Sequence, residues 1–308
     1  MIVIVGPTAV GKSDLALRLA DSHPLEIISA DSRQVYHYMD IGTSKPTPAE
    51  RTTVRHHAID VVDPDEDFSL AMYHRLAIEA REAIKQRGHS AFLVGGSGLY
   101  VWSLVEGWQI PHVPPDQKLR RELEARAQQE SSQVLYHELE RIDPAAAAKI
   151  SPRNIRRIVR ALEIYQTTGH RPSELQRRAA PGFSTLVIGL TCERSELYRK
   201  IDLRVDNMIK KGLIEEVEHL LEEGYSPSLP SMSGIGYRQI GQFLRGEMTL
   251  PEAVDKMKYE THRLARHQYA WFRLSDERIH WFDVGETGGA TSERILDKVN
   301  TLIQGFMS

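Results

Sequence analysis

Gly6-Pro7-Thr8-Ala9-Val10-Gly11-Lys12-Ser13 fits the G-x-x-x-x-G-K-[ST] spacing of a phosphate-binding loop. The residue types explain why. Gly6 and Gly11 admit backbone angles and close approaches that a Cβ would obstruct. Successive N–H groups can then face phosphate oxygens, and the start of a following helix adds partial positive charge. Lys12 supplies a full charge, and Ser13 is a candidate ligand for Mg²⁺. Such a loop specifies phosphate and Mg²⁺ but not adenine. A nucleotide triphosphatase also needs a metal-holding aspartate after a second apolar strand. Asp31, Asp60 and Asp63 are candidates, and spacing does not choose among them. Asp31 could equally be a general base or a helix cap.

Two further clusters suit nucleic acid. In Pro152–Leu162, Ile155, Ile158, Val159 and Leu162 form an apolar helical stripe, with Arg153, Arg156, Arg157 and Arg160 largely opposite. No acidic residue follows until Glu163. Such a face either tracks phosphates or is simply solvated. Thr261–Arg273 interleaves His262, Arg263, Arg266 and Arg273 with Tyr269, Trp271 and Phe272, a composition that suits unstacked RNA bases, although the aromatics could instead be core.

These residues need a scaffold. Ile2–Val5, Leu25–Ala30, Ala58–Val62, Ala91–Val94, Thr185–Leu190 and Ile279–Phe282 read as strands. Ser13–Ala20 and Ser69–Arg87 read as helices between them. Alternating strands and helices imply an α/β fold with a parallel sheet and right-handed crossovers. Ligands bind at the carboxyl ends of such strands, so the Gly6–Ser13 loop, Asp31 and Gly95–Gly98 should converge. After Pro111, Pro114 and Pro115, helical signals dominate from 117 to about 176, including Asp116–Gln129 and Asn154–Thr168. The expected organisation is a core of residues 1–109 and 181–308, with an all-helical insertion over 110–180. Helical segments are also expected over Arg194–Glu223 and Leu250–Arg273.

The 308 residues are 41% hydrophobic and 26% charged, with a net charge of −3, which is ordinary for a globular chain. No run approaches the roughly 18 apolar residues of a membrane span. The single cysteine, Cys192, excludes an internal disulfide and a cysteine-based zinc site. The first residues read as a strand rather than a signal peptide, so a cytoplasmic location is expected.

Several blocks are more specific than the loop. They are Asp31-Ser32-Arg33-Gln34-Val35-Tyr36, Met39-Asp40-Ile41-Gly42-Thr43-Ser44-Lys45-Pro46, Gly95-Gly96-Ser97-Gly98-Leu99-Tyr100 and Gly236-Tyr237-Arg238-Gln239. With GPTAVGKS, in order and over nearly the whole chain, they resemble the tRNA dimethylallyltransferases, also called tRNA isopentenyltransferases. The resemblance implies a P-loop core and transfer of a dimethylallyl group from dimethylallyl diphosphate to adenosine N6. The acceptor would lie immediately 3′ of the anticodon in tRNAs reading codons that begin with U. It implies that Gly6, Pro7, Thr8, Ala9, Val10, Gly11, Lys12 and Ser13 grip the donor diphosphate with Mg²⁺. Asp31 matches the family's catalytic base, and Arg204 matches an arginine near the diphosphate. Ser97 stands where the family more often has Thr, keeping a hydroxyl for donor or tRNA. By the same resemblance, Asp31, Ser32, Arg33, Gln34, Ser97, Arg120, Arg156, Arg157, Arg160, Gly236, Tyr237, Arg238, Arg266 and Arg273 contact tRNA, through its anticodon stem-loop. A monomer is expected. The competing expectations are a small-molecule kinase, which uses only the loop and fold, and a non-catalytic nucleotide-dependent RNA-binding module.

Overall fold

The computed structural model describes residues 1–111, 113–175, 177–285 and 292–307, with the side chain of Arg177 left out. The chain forms two compact units, Met1–Val105 with Gly182–Ser308, and Glu106–Pro181.

The elements of the first half, in chain order, are β1 (Ile2–Val5), α1 (Lys12–Leu19), β2 (Leu25–Ala30), α2 (Pro48–Thr53), β3 (His56–His57), α3 (Leu70–Gln86), β4 (Ser90–Gly95) and α4 (Gly98–Val105). The smaller unit follows with β5 (Trp108–Gln109), α5 (Gln117–Gln129), α6 (Ser132–Ile142), α7 (Pro144–Ala147), α8 (Ile155–Thr168), α9 (Pro172–Leu175) and β6 (Arg177–Arg178). The chain then returns to the larger unit through β7 (Leu186–Thr191), α10 (Arg194–Lys210), α11 (Leu213–Glu222), α12 (Tyr237–Leu244), α13 (Leu250–Trp271), β8 (Ile279–Asp283) and α14 (Glu293–Met307).

The larger unit is an α/β fold whose six-stranded sheet runs β3-β2-β4-β1-β7-β8, every pairing parallel. Strands β1 and β2 are buried along their whole length, as near-continuous apolar runs in a covered sheet should be. Leu15, Ala16 and Leu19 of α1 pack onto the sheet, while Tyr73, Ala77, Ala80 and Ile84 give α3 its buried stripe. The Ser69 hydroxyl caps α3 by accepting from Met72 N–H. Because all strands point the same way, the ends of β1, β2 and β4 lie on one edge. They deliver the Gly6–Ser13 loop, Asp31 and Gly95–Gly96 there. Helix α13, 22 residues long and opened by a Thr249–Glu252 capping box, spans about 33 Å.

One expected strand does not form. Over Ala58–Val62 the chain turns, because Ala58 and Asp60 have φ of 60° and 51°, in the left-handed region that a ladder cannot use. The strand is His56–His57, and Val62 makes only an isolated bridge to Tyr36. Asp60 is held in its turn by Lys45 and Arg51. Helix α4 goes beyond the expected elements because it is buried on nearly all sides and shows no amphipathic period.

The smaller unit packs Leu123, Leu135, Leu139, Ile158, Val159 and Leu162 into its own core. The apolar stripe of α8 is therefore inside. To its helices the unit adds the two-residue antiparallel ribbon of β5 with β6, too short to show a strand period in sequence.

Candidate active site

The phosphate loop, Asp31, Gly95–Gly96 and Arg204 line one cavity of about 1020 Å³. Gly11, with φ of 102°, supplies the left-handed turn into α1. Ala9 also sits at a φ of 64°, a conformation costly for a residue with a Cβ. Among the described residues, the N–H groups of Ala9 through Ser13 have no hydrogen-bond partner in the protein, so they are available to an anion.

Lys12 folds its Nζ back onto the carbonyls of Gly6 (3.0 Å) and Pro7 (2.7 Å). Burial pulls its pKa from the usual 10.5 to about 7, the charge of Arg204 adds to this, and Asp31 opposes it. An anion in the cavity favours the charged form again. Arg204 projects from α10 and donates through Nε to the Ser44 hydroxyl, 2.8 Å away. Burial lowers its pKa as well, against the charges of Asp31 and Asp14. Its guanidinium stays protonated regardless. Lys12 and Arg204 line the same cavity and Asp31 offsets their charge only in part, so the site suits a polyanion.

Asp31 follows the last residue of β2. Its Oδ1 accepts from Arg33 N–H at 2.8 Å, a turn that aims the carboxylate. The Ser97 hydroxyl accepts from Ser32 N–H at 3.1 Å. Ser97 thus braces the Asp31 turn from the start of α4. Arg33 reaches the carbonyls of Pro230 (2.6 Å) and Ser231 (3.2 Å). Gln34 is spent internally, accepting from Ser29 Oγ and donating to the carbonyls of Thr43 and Ser44. Ser32 is exposed beside them.

Several side chains expected at RNA are committed to the protein. Tyr237 is 2% exposed and donates its hydroxyl to Glu216 Oε1 at 2.6 Å. Gly236 is buried beside it, while Arg238 is exposed and paired with Glu260. Arg120 forks onto Glu163 with Nε and Nη2 at 2.8 and 2.9 Å, and Arg160 joins the same carboxylate. Glu163 is fully buried; burial raises its pKa, but the hydrogen bonds from Arg120 and Arg160 outweigh this and leave it lowered. Arg120 and Arg160 are therefore half-buried partners of the buried Glu163 within the smaller unit, not a free basic face. Arg156 and Arg157 remain exposed, as does Arg153, and none has an ion pair among the described residues. Arg266 is exposed and donates to the Tyr198 hydroxyl, and Arg273 is exposed.

The structure adds residues that spacing did not reveal. Glu216 of α11 accepts from the backbone N–H groups of Asp40, Ile41 and Gly42 at 3.0, 2.7 and 3.1 Å, shaping the segment that presents Ser44. Lys45, 8% exposed, binds Asp40 and Asp60 and so removes Asp60 from the pool of free carboxylates. Gln268 of α13 touches both the phosphate loop and Gly96. The Glu216 and Gln268 contacts have no sequence signal, because each joins residues far apart in the chain.

Mg²⁺ suits what is present. No cluster of three or more His, Cys, Asp or Glu among the described residues could cage a metal by itself. The cavity instead offers the Ser13 hydroxyl, at the helix start, beside an anion site. A hard cation that keeps waters and binds mainly through phosphate oxygens needs no more from the protein.

Among the described residues, no helix is long and apolar enough to cross a membrane. The family model for IPP transferase matches residues 34–275. A tRNA dimethylallyltransferase of Thermomicrobium roseum is 50% identical over 94% of this chain and 87% of its own length. Another, from a Roseiflexus species, is 54% identical over 89% of this chain and 90% of its own. The crystal structure of the tRNA isopentenylpyrophosphate transferase of Bacillus halodurans aligns with a TM-score of 0.72 at 40% identity, covering 99% of this chain and 95% of that one. A eukaryotic dimethylallyltransferase acting on tRNA aligns with a TM-score of 0.81 at 28% identity, covering 99% and 79%. With its phosphate loop, DSRQVY turn and GGSGLY turn gathered on one sheet edge, the chain belongs to the tRNA dimethylallyltransferase (IPP transferase) family.

Proposed function

We propose that this protein transfers a dimethylallyl group from dimethylallyl diphosphate to N6 of the adenosine immediately 3′ of the anticodon, in tRNAs reading codons that begin with U. The observation that carries the reading is the shared cavity: a carboxylate, Asp31, opens into the same space as the phosphate loop, Lys12 and Arg204. The relatives' activity on tRNA supports the acceptor.

Adenine N6 is a poor nucleophile, because its lone pair is delocalised into the ring. As N6 bonds to C1 of the donor, Asp31 takes the N6 proton. The C1–O bond breaks and its electron pair leaves with the diphosphate. Charge therefore grows on the diphosphate oxygens, in the space that Lys12, Arg204 and the loop line. Ser13 would hold Mg²⁺ there, and the bound cation would offset part of the leaving group's charge. The target base must leave its stack to reach Asp31. The exposed Arg153, Arg156 and Arg157 supply a face for the phosphates of the anticodon stem-loop. The enzyme acts as a monomer in the cytoplasm, where its tRNA is found.

Mixing the protein with Mg²⁺, labelled dimethylallyl diphosphate and unmodified tRNA should carry label into RNA. Absence of label, with phosphate transfer from ATP instead, overturns the reading in favour of a kinase. That alternative is not favoured, because the matching family model is that of IPP transferases.

A further inference from the structure

Gln268 is separated from the phosphate loop by 260 residues, yet its carboxamide is part of the loop's structure. Oε1 accepts from Thr8 N–H at 2.7 Å, and Nε2 donates to the Gly96 carbonyl at 3.2 Å. The side chain is 8% exposed. A Cβ on Gly96 would stand 2.1 Å from Nε2, so the absent side chain at 96 is what lets the amide through. Thr8 is also the residue before Ala9, whose φ of 64° is strained for a residue with a Cβ. Strain of this kind persists only where the surroundings over-determine it. The tie at Thr8 N–H comes immediately before it.

We infer that Gln268 is a positioning residue for the diphosphate: it pins the apex of the loop to the β4–α4 turn, so that the Ala9–Ser13 amides stay aimed at one point. This rests on the loop holding a diphosphate, as proposed above. The contact also assigns the apolar, basic helix α13 two tasks. Its exposed residues, such as Arg266, face solvent, while Gln268, two positions on, faces inward to the loop. A helical turn separates those faces by chemistry as well as direction. A Leu side chain at 268 would fill similar volume but supply neither polar contact. It would leave Thr8 N–H and the Gly96 carbonyl without their partner, and the loop free to relax Ala9. A Glu side chain would keep the acceptor for Thr8 N–H. It would, however, set a negative charge against the Gly96 carbonyl and beside an anion site.

The test is equilibrium binding of inorganic diphosphate with Mg²⁺, by calorimetry, without tRNA. Gln268→Leu should bind roughly tenfold or more weakly than the parent protein, with tRNA affinity within about twofold and a melting temperature within a few degrees. Steady-state kinetics should show the loss in donor KM and kcat, not in tRNA KM. Diphosphate affinity equal to the parent protein in the folded Leu variant overturns the inference. Should that variant not fold, Gln268→Met, uncharged and similar in length, serves: weakened diphosphate binding supports the inference, and unchanged binding overturns it. Because the readout is diphosphate binding, it stands apart from prenyl transfer. A parent protein that binds diphosphate but transfers no prenyl group would end the functional reading and leave the Gln268 comparison decisive.

Discussion

Arg204 Nε and the Ser44 hydroxyl lie 2.8 Å apart, joining α10 to the DIGTS segment at the cavity wall. Ser44 has a φ of 50°, and its carbonyl accepts from Gln34 Nε2 at 3.2 Å. One residue therefore links the cation proposed for the leaving group to the turn that aims Asp31. Glu216 fixes the same segment from the far side through three backbone N–H groups. Arg204→Gln should lower kcat by about 100-fold, as loss of one charged donor at a developing oxyanion does. Ser44→Ala leaves the charge and loosens its aim, so a loss of roughly tenfold is expected. Steady-state rates on unmodified tRNA separate the two; equal effects would remove the distinction between charge and aim.

Asp31 does two things, and the choice of variant matters. Asp31→Ala removes both the base and the acceptor for Arg33 N–H. Asp31→Asn keeps an acceptor oxygen for that turn and removes only the base. Turnover should fall by at least about 100-fold in the Asn variant with an unchanged melting temperature. Turnover near that of the parent protein would mean that Asp31 is not the base.

The basic residues of α8 divide into two classes. Arg156→Gln with Arg157→Gln should weaken tRNA binding and flatten its dependence on log salt by about 1.5 to 2 units. Stability should barely move, because both side chains are exposed. Arg160→Gln should do the reverse. It removes one of two arginines from the buried Glu163, which keeps Arg120 and the Asp116 N–H, and should cost about 1.5 kcal/mol in urea unfolding. Filter binding at several salt concentrations, with unfolding curves, checks both.

Acid should attack the sheet at Glu26. This β2 residue is 2% exposed and receives Arg87 Nε and Nη2 at 2.7 and 2.8 Å, with His57 Nε2 at 2.7 Å. The Arg87 hydrogen bonds lead in lowering its pKa from the usual 4.5 to about 2, against burial and with help from His57. A depressed carboxylate stabilises the fold fully above its unfolded pKa, and that contribution is lost as pH falls through the folded value. Glu26→Gln should therefore be less stable than the parent protein by a few kcal/mol at pH 7. The gap should narrow between about pH 4.5 and 2. Thermal melts across that range test it; a gap independent of pH would place the stabilisation elsewhere.

The phosphate loop, the parallel sheet and the position of Asp31 at a strand end are all legible in the chain, because each depends on neighbours within a few residues. Glycine spacing sets the loop. Apolar runs set β1, β2 and β4, and a strand's end sets where Asp31 emerges. The same short-range rules fail at Ala58–Val62, where an apolar run suggests a strand. Two left-handed residues and a buried Lys45 make a turn instead.

Which partner each polar side chain takes is decided only when distant segments pack. Arg160 reads as one of four cations on a free face. Folding brings Arg120 and the buried Glu163 to it, and the cost of leaving that carboxylate unpaired commits both arginines. Tyr237 lies in a motif expected at RNA, yet Glu216 draws its hydroxyl inward. Gln268 reads as part of a basic, aromatic helix, yet it completes a loop at the other end of the chain. Burial makes an unmet hydrogen bond expensive, so tertiary contacts select which polar groups remain free for substrate. The loop's local geometry is written in eight residues; its rigidity and its neighbouring charges come from residues that only the fold brings near.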